Sequence, residues 1–305
     1  MKLLKFAAID IGSNAMRLLI TNVIENDGEV IFKKASLTRG PLRLGMEAFE
    51  NGEIGSENKD KLVHMMKAYK HLMIVNDVVG YRACATSAMR DAQNGPDIVK
   101  LIKDASNIEI EIIDGKEEAR IIYDSHIADM LEPNKNYLYV DVGGGSTELT
   151  LLVNGKLEKS RSFNIGTLRL LNKSVDKKEW DQMHTWLDNI TEKYGKIEII
   201  GSGGNINKIY KLAGTKIGQP LSRVKLMAIA KQLSELSVEE RIIKFGLNPD
   251  RADVIVPASE VFLMVSRWID AKNIYVPVIG VADGITRSLY ADYKKGKAIK
   301  NVLNK

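Results

Sequence analysis

The chain has 305 residues, 45% hydrophobic and 27% charged, a balance that excludes disordered and collagen-like classes. Its longest uninterrupted apolar run, Val261 to Val265, is far below the ~20 residues a membrane-spanning helix needs, and Cys84, the only cysteine, excludes an intramolecular disulfide framework and a cysteine-cluster zinc site. At roughly 150 residues per domain the length predicts two domains. Met1–Lys5 leads directly into a strand pattern with no signal-peptide cleavage region, so a soluble, cytoplasmic protein is expected. The net charge of +5 is compatible with a polyanionic ligand without demanding one, and the late lysines 294, 295, 297, 300 and 305 read as a solvated terminal helix.

Phe6–Asn14 followed by Leu18–Ile20 reads as strand, glycine turn, strand, and Val30–Phe32 extends the meander past an Asn26-Asp27-Gly28 turn. From Ser56 to Val75, apolar residues at 62, 65/66, 69 and 72/73 predict an amphipathic helix. A short strand over Tyr81–Ala85 opens into the Ala85-Thr86-Ser87-Ala88 loop. A helix over Pro96–Ala105, a strand over Ile108–Ile113 and a helix over Lys116–Leu131 follow.

A second beginning then appears. Tyr137–Glu148 and Leu149–Leu152 are again strand, glycine turn, strand, and Asn154-Gly155 turns into a third strand around Ser160–Ile165. Asp141 lies 131 residues after Asp10, and the same offset aligns Gly143 with Gly12, so the chain carries a domain-sized repeat. A boundary is expected near 125–135, giving domains over residues 1–125 and 126–305, with the terminal helix able to pack back on the first, and the halves are expected to close about a cleft. Later elements are a strand over Glu198–Ile200 feeding Gly201-Ser-Gly-Gly-Asn205, a helix from Ile206, an apolar helix over Asp253–Trp268, a strand over Val278–Gly280, and a terminal helix. The class is α/β with a duplicated, mostly mixed sheet.

Three glycine-rich strand-to-turn junctions, at Asp10–Asn14, Asp141–Ser146 and Gly201–Asn205, supply unhindered N–H groups suited to phosphate oxygens. Neither a P-loop nor a dinucleotide fingerprint is present, because Glu148 stands where the latter needs glycine. Asp10 and Asp141, with Glu148 on the return strand, are hard oxygen ligands that suit Mg²⁺ beside phosphate. Arg90, at a loop-to-helix junction, offers a guanidinium for phosphate. Glu117 and Glu118 open a helix; adjacent helical residues point about 100° apart, so at most one faces a cleft as general base, and spacing does not choose. His64, His71, His126 and His184 show no metal-ligand spacing, and no Ser-His-Asp arrangement emerges.

Taken together, Ile9–Asn14 with Arg17-Leu18, Arg43-Leu44-Gly45, Ala85–Asn94, Gly115–Arg120, Asp141–Glu148 and Asn248–Ile255 resemble the ordered motifs of the exopolyphosphatase and guanosine pentaphosphate phosphohydrolase family. The resemblance implies duplicated actin/Hsp70/sugar-kinase-like (ribonuclease H-like) domains with an interdomain cleft, and it selects Glu118 as the base. It implies Mg²⁺-dependent release of orthophosphate from inorganic polyphosphate. Ser13, Asn14, Arg90, Gly143, Gly144, Gly145 and Ser146 would bind phosphate, and Asp141, Glu148 and Asp10 would hold the metal. Hydrolysis of guanosine pentaphosphate is the alternative within the family. A non-catalytic sensor of polyphosphate or guanosine tetra- or pentaphosphate, which keeps the cleft without useful turnover, is the alternative from a different functional class, and an ATP-dependent sugar kinase on the same fold is a third. Nucleic acid and membrane are not expected partners. Homodimers are common in such families, although the sequence carries no interface signature. Ala15, Asn205 and the Gly280-Val-Ala-Asp-Gly284 segment depart from the family pattern, and the chain is expected to lack the C-terminal helical region of longer relatives.

Overall fold

Two tight turns set the first forty residues. Gly12 donates its N–H to the Ala15 carbonyl (3.2 Å), and Asp27 and Gly28 take positive φ of 48° and 86°, the handedness a two-residue hairpin requires. The result, in a computed structural model that describes residues 1–123, 132, 134–216, 218–277 and 280–301, is an antiparallel meander. It comprises β1 (Lys2–Ile11), β2 (Met16–Asn26) and β3 (Glu29–Gly40). Helices α1 (Leu44–Asn51) and α2 (Ser56–Val75) follow, then β4 (Gly80–Ala85), α3 (Ser87–Asp91), α4 (Gly95–Ser106), β5 (Ile110–Ile112) and α5 (Gly115–Tyr123). Strand β4 pairs parallel with β1 and β5 pairs parallel with β4, giving the sheet order β3-β2-β1-β4-β5. Helix α2 buries Leu62, Met66, Tyr69 and Met73, a single helical stripe, in the core beside Ile9, Ile11 and Leu18.

The pattern then repeats. Strands β6 (Asn136–Val142), β7 (Thr147–Val153) and β8 (Lys156–Phe163) form a second meander whose Asn154-Gly155 turn again has positive φ, 50° and 74°. Next come α6 (Thr167–Leu171), α7 (Lys177–Tyr194), β9 (Ile197–Ser202) and α8 (Gly204–Leu212). After these lie β10 (Leu221–Ser222), α9 (Arg223–Ser234), α10 (Val238–Phe245), α11 (Pro249–Ala252), α12 (Ile255–Trp268) and β11 (Asn273–Tyr275). The sheet order is β10-β11-β9-β6-β7-β8, with β9 parallel to β6 and β11 parallel to β9. Apart from the added edge strand β10, this is the first topology again. A separate core, including Leu138, Leu149, Phe163, Leu187 and Phe262, fills this unit. The chain is therefore α/β, with duplicated actin-like, ribonuclease H-like domains.

The compact units are Met1–Ser125 with Gly280–Lys305, and His126–Ile279, so the second ends before the terminal helix α13 (Val281–Lys294) rather than at residue 305. The reason is local packing. Phe6 meets Tyr290 and Tyr293 edge to face, and Gly284 seats so tightly on α5 that a Cβ there would lie 2.1 Å from the Ile121 carbonyl oxygen. The tail lysines are not simply solvated: Lys294 pairs with Glu25, Lys297 with Asp292, and Lys300 with Glu109 and Glu111. The expected continuation of α5 to Leu131, most of the 125–135 boundary, His126, Lys305 and residues 278–279 of the expected last strand lie outside the described residues. The strand described nearest to the last is β11, at residues 273–275. Among the described residues, no helix is long and apolar enough to cross a membrane.

Candidate active site

In the first unit, the β1–β2 hairpin places Asp10 directly opposite Arg17, and Arg17 Nη1 lies 3.0 Å from Asp10 Oδ2. Asp10 is 5% exposed, and burial raises its pKa while the Arg17 charge and hydrogen bond work the other way. The turn between the strands is tied back on itself. The Ser13 carbonyl accepts from Gly45 N–H (2.9 Å) and the Asn14 carbonyl from Arg43 N–H (3.0 Å). The buried hydroxyls of Ser13 and Ser87 share a hydrogen bond of 2.8 Å, which brings the β4–α3 loop to the turn. Arg90, one helical turn on, donates from Nη1 to the Ile113 carbonyl (3.0 Å) and so joins this loop to the start of α5. There the two glutamates separate. Glu117 pairs with Arg82 (3.0 Å), whereas Glu118 is 8% exposed.

Cys84, opposite Asp10 in the parallel β1–β4 register, is buried, and burial pushes its thiol up to about 12. It stays protonated at neutral pH and offers no thiolate nucleophile.

The second unit repeats the hairpin with different chemistry. Asp141 stands opposite Glu148, at the register position that Arg17 holds in the first unit. The equivalent of Ala15 is Ser146, whose Oγ donates to Glu148 Oε1 (2.5 Å). A second hydroxyl, Ser162 on β8, donates to the same oxygen (3.0 Å), and Glu148 is 3% exposed. Gly143 N–H closes the turn on the Ser146 carbonyl (2.9 Å). Three consecutive carbonyls of this turn are anchored on one side. Gly143 accepts from Thr167 N–H (3.0 Å), Gly144 from Leu168 N–H (2.8 Å), and Gly145 from Arg169 Nε (2.8 Å). Because each peptide is planar and trans, fixing those carbonyls turns the N–H groups of Gly144, Gly145 and Ser146 away from α6. Successive N–H groups displayed together make an anion-binding concavity.

Two glycines hold this arrangement at close range. A Cβ on Gly166 would lie 2.3 Å from the Gly144 carbonyl oxygen, so only glycine lets α6 reach the turn. Gly203, in the β9–α8 loop with φ of 105°, would bring a Cβ to 3.1 Å from Asp141 Oδ1. The third glycine loop therefore flanks Asp141.

Within the first unit the fold thus gathers Asp10, Ser13, Asn14 and, through Ile113, Arg90 with the helix of Glu118. Within the second it gathers Asp141, Gly143–Ser146 and Glu148. Residues the sequence did not single out are Ser87, Ser162, Gly166 and Arg169. Among the described residues, no group of three or more His, Cys, Asp or Glu side chains converges to hold a metal ion. Mg²⁺ does not require one, since it usually keeps several waters and takes one or two carboxylates beside phosphate. The cross-strand pair Asp141 and Glu148 fits that demand. Asp10, bonded to Arg17, fits it less well.

The chain is 33% identical over 171 residues to a bifunctional 3-dehydroquinate synthase/phosphatase of Fusobacterium nucleatum, a match covering 55% of this chain and only 26% of that protein. It is 26% identical to exopolyphosphatase 2 of Mycobacterium tuberculosis, over 95% of this chain and 99% of the relative. The crystal structure of an exopolyphosphatase from Cytophaga hutchinsonii shares the fold with a TM-score of 0.81 at 23% identity, covering 97% of this chain and all of that one. The family match itself runs over residues 23–292, nearly the whole length, and the chain belongs to the Ppx/GppA phosphatase family.

Proposed function

We propose that this protein hydrolyses the terminal phosphoanhydride bond of inorganic polyphosphate, releasing orthophosphate in a Mg²⁺-dependent reaction. The observation that carries the proposal is the glycine turn of the second unit, with three successive carbonyls tied to Thr167, Leu168 and Arg169 and its N–H groups turned the other way. Such a turn suits phosphate oxygens, and the repeated turn at Gly12–Ala15 offers Ser13 and Asn14 for the same task.

Phosphoryl transfer asks mainly for positioning and charge stabilisation, which these groups can supply without a covalent nucleophile. Arg90, anchored at Ile113, presents a guanidinium to phosphate oxygens. Glu118, buried on α5, accepts the proton of the attacking water and orients it. Asp141 and Glu148 are the residues that would hold Mg²⁺, with Ser146 and Ser162 fixing Glu148 Oε1. Bound there, the ion would neutralise charge on the transferring phosphoryl group.

The test is phosphate release from long polyphosphate, short polyphosphate, guanosine pentaphosphate and ATP, with and without Mg²⁺. Mg²⁺-dependent release from polyphosphate supports the proposal. Preference for guanosine pentaphosphate would move the substrate to the nucleotide branch of the family, and tight binding without release would make the protein a sensor.

A further inference from the structure

We infer that Arg82 is a positioning residue for Glu118, acting through Glu117; the inference rests on the proposed role of Glu118 as base. Arg82 lies on β4 and its guanidinium bridges two carboxylates. Nε donates to Glu111 Oε2 on β5 (3.0 Å), and Nη2 donates to Glu117 Oε1 on α5 (3.0 Å). Glu117 also receives its own helix start from Asp114, whose Oδ1 accepts the Glu117 N–H (2.8 Å), while the Asp114 carbonyl accepts the Glu118 N–H (3.0 Å). The first turn of α5 is thus fixed at its backbone by Asp114 and at its side chain by Arg82.

Rotation is the quantity at stake. Residues 117 and 118 are adjacent in the helix and point about 100° apart, so holding Glu117 against β4 sets the direction of Glu118. Arg82 is suited to this by its planar fork, which can engage both carboxylates in fixed geometry where a lysine ammonium could not. The C-terminal segment reinforces the clamp. Lys300 donates to Glu111 Oε1 (3.0 Å), and its carbonyl accepts the Tyr81 N–H (2.9 Å) on the same strand as Arg82. Arg82 and Glu117 side chains are 20% and 32% exposed, so the pair is only partly screened by solvent. Its effect should fall on turnover.

The experiment compares full-length wild type with Arg82→Ala, Arg82→Lys, Glu117→Gln, the Arg82→Ala/Glu117→Gln double variant and Glu118→Gln, measuring kcat, KM and thermal midpoint on polyphosphate. Small displacements of a reacting group cost about 10- to 100-fold in rate. The expected result is a loss of that size in kcat for Arg82→Ala and for Glu117→Gln, with KM within about twofold and a fall in the midpoint too small to unfold the protein at the assay temperature. Arg82→Lys recovers part of the loss, and the double variant falls no further than either single one. Unchanged kcat in Arg82→Ala while Glu118→Gln is inactive would overturn the Arg82 assignment alone, as would multiplicative losses in the double variant. Retained turnover in Glu118→Gln would remove the base itself, and this inference with it.

Discussion

Arg17 and Glu148 occupy the same position in the two repeated hairpins, each directly across the strand pair from the aspartate that precedes its glycine turn. One hairpin therefore carries an ion pair of a buried carboxylate with a half-buried guanidinium, Asp10 with Arg17 at 3.0 Å, and the other carries two facing carboxylates, Asp141 and Glu148. A single change of charge sign at one register position gives the duplicated scaffold two chemistries. In the first hairpin the carboxylate is balanced by a guanidinium, whereas in the second two carboxylates lie across from each other beside the turn's N–H groups. The neighbouring position follows suit: Ser146 supplies a hydroxyl to Glu148, and its equivalent Ala15, beside Arg17, has none to give.

Arg17→Ala leaves the Asp10 carboxyl buried without its cation. The expected loss of folding stability at neutral pH is about 1–3 kcal/mol. Its pH dependence has a definite sign. Burial already holds the Asp10 pKa above its ordinary value, and removing Arg17 removes the opposing influence, so the folded variant binds the proton more tightly than the unfolded chain. Stability is then lost as pH rises from the unfolded carboxylate range through the raised folded value. Thermal midpoints of variant and wild type should diverge from acid to pH 8; a constant gap would contradict the role given to Arg17.

Ser146→Ala removes one of the two hydroxyls on Glu148 Oε1. Partners of this kind change metal affinity by about 10- to 100-fold. Calorimetric titration of the free protein with Mg²⁺ should show weakening of that order, whereas Ala15→Ser, on the hairpin without the facing carboxylates, should leave the titration as it was. Equal effects of the two substitutions would place the ion elsewhere.

Gly166→Ala forces a methyl to within 2.3 Å of the Gly144 carbonyl oxygen. Overpacking of this kind costs about 1–3 kcal/mol. Because the displaced atoms are the anchored carbonyls of the turn, binding of polyphosphate should weaken together with stability. Gly155→Ala, at a glycine where an added Cβ would meet nothing within 4 Å but φ is 74°, separates the effects: it strains a distant hairpin and should leave binding intact.

Much of this site was legible in the sequence because its decisive elements are local. A glycine turn between two apolar strands announces itself, and an offset of 131 residues exposes the repeat without any knowledge of packing. Helix α2 was predicted over Ser56–Val75, where its apolar stripe is regular, and the structure gives the same bounds. Ser162 was not legible, for a physical reason. Counted back from the Asn154-Gly155 turn, an uninterrupted ladder sets Arg161 opposite Glu148; a bulge between Leu151 and Leu152 shifts the register and delivers Ser162 instead. Arg169 and Gly166 escaped because their significance is a contact with a turn more than twenty residues earlier, and strand β11 escaped because three residues show no alternation. The Arg17 contact with Asp10 was visible only once the hairpin register was fixed. The terminal helix joins the first unit through aromatic and ion-pair contacts that no local pattern encodes.

Glu118, the proposed base, would activate water for hydrolysis of polyphosphate, and Glu118→Gln removes that capacity while keeping the side chain's size. Side by side, wild type and variant are assayed for orthophosphate release from polyphosphate in Mg²⁺ and for polyphosphate binding by a direct titration. A positioned acid or base contributes about 10²–10⁴-fold. The predicted result is a loss of that size in turnover with binding preserved. Turnover within a few-fold of wild type would exclude Glu118 as the base.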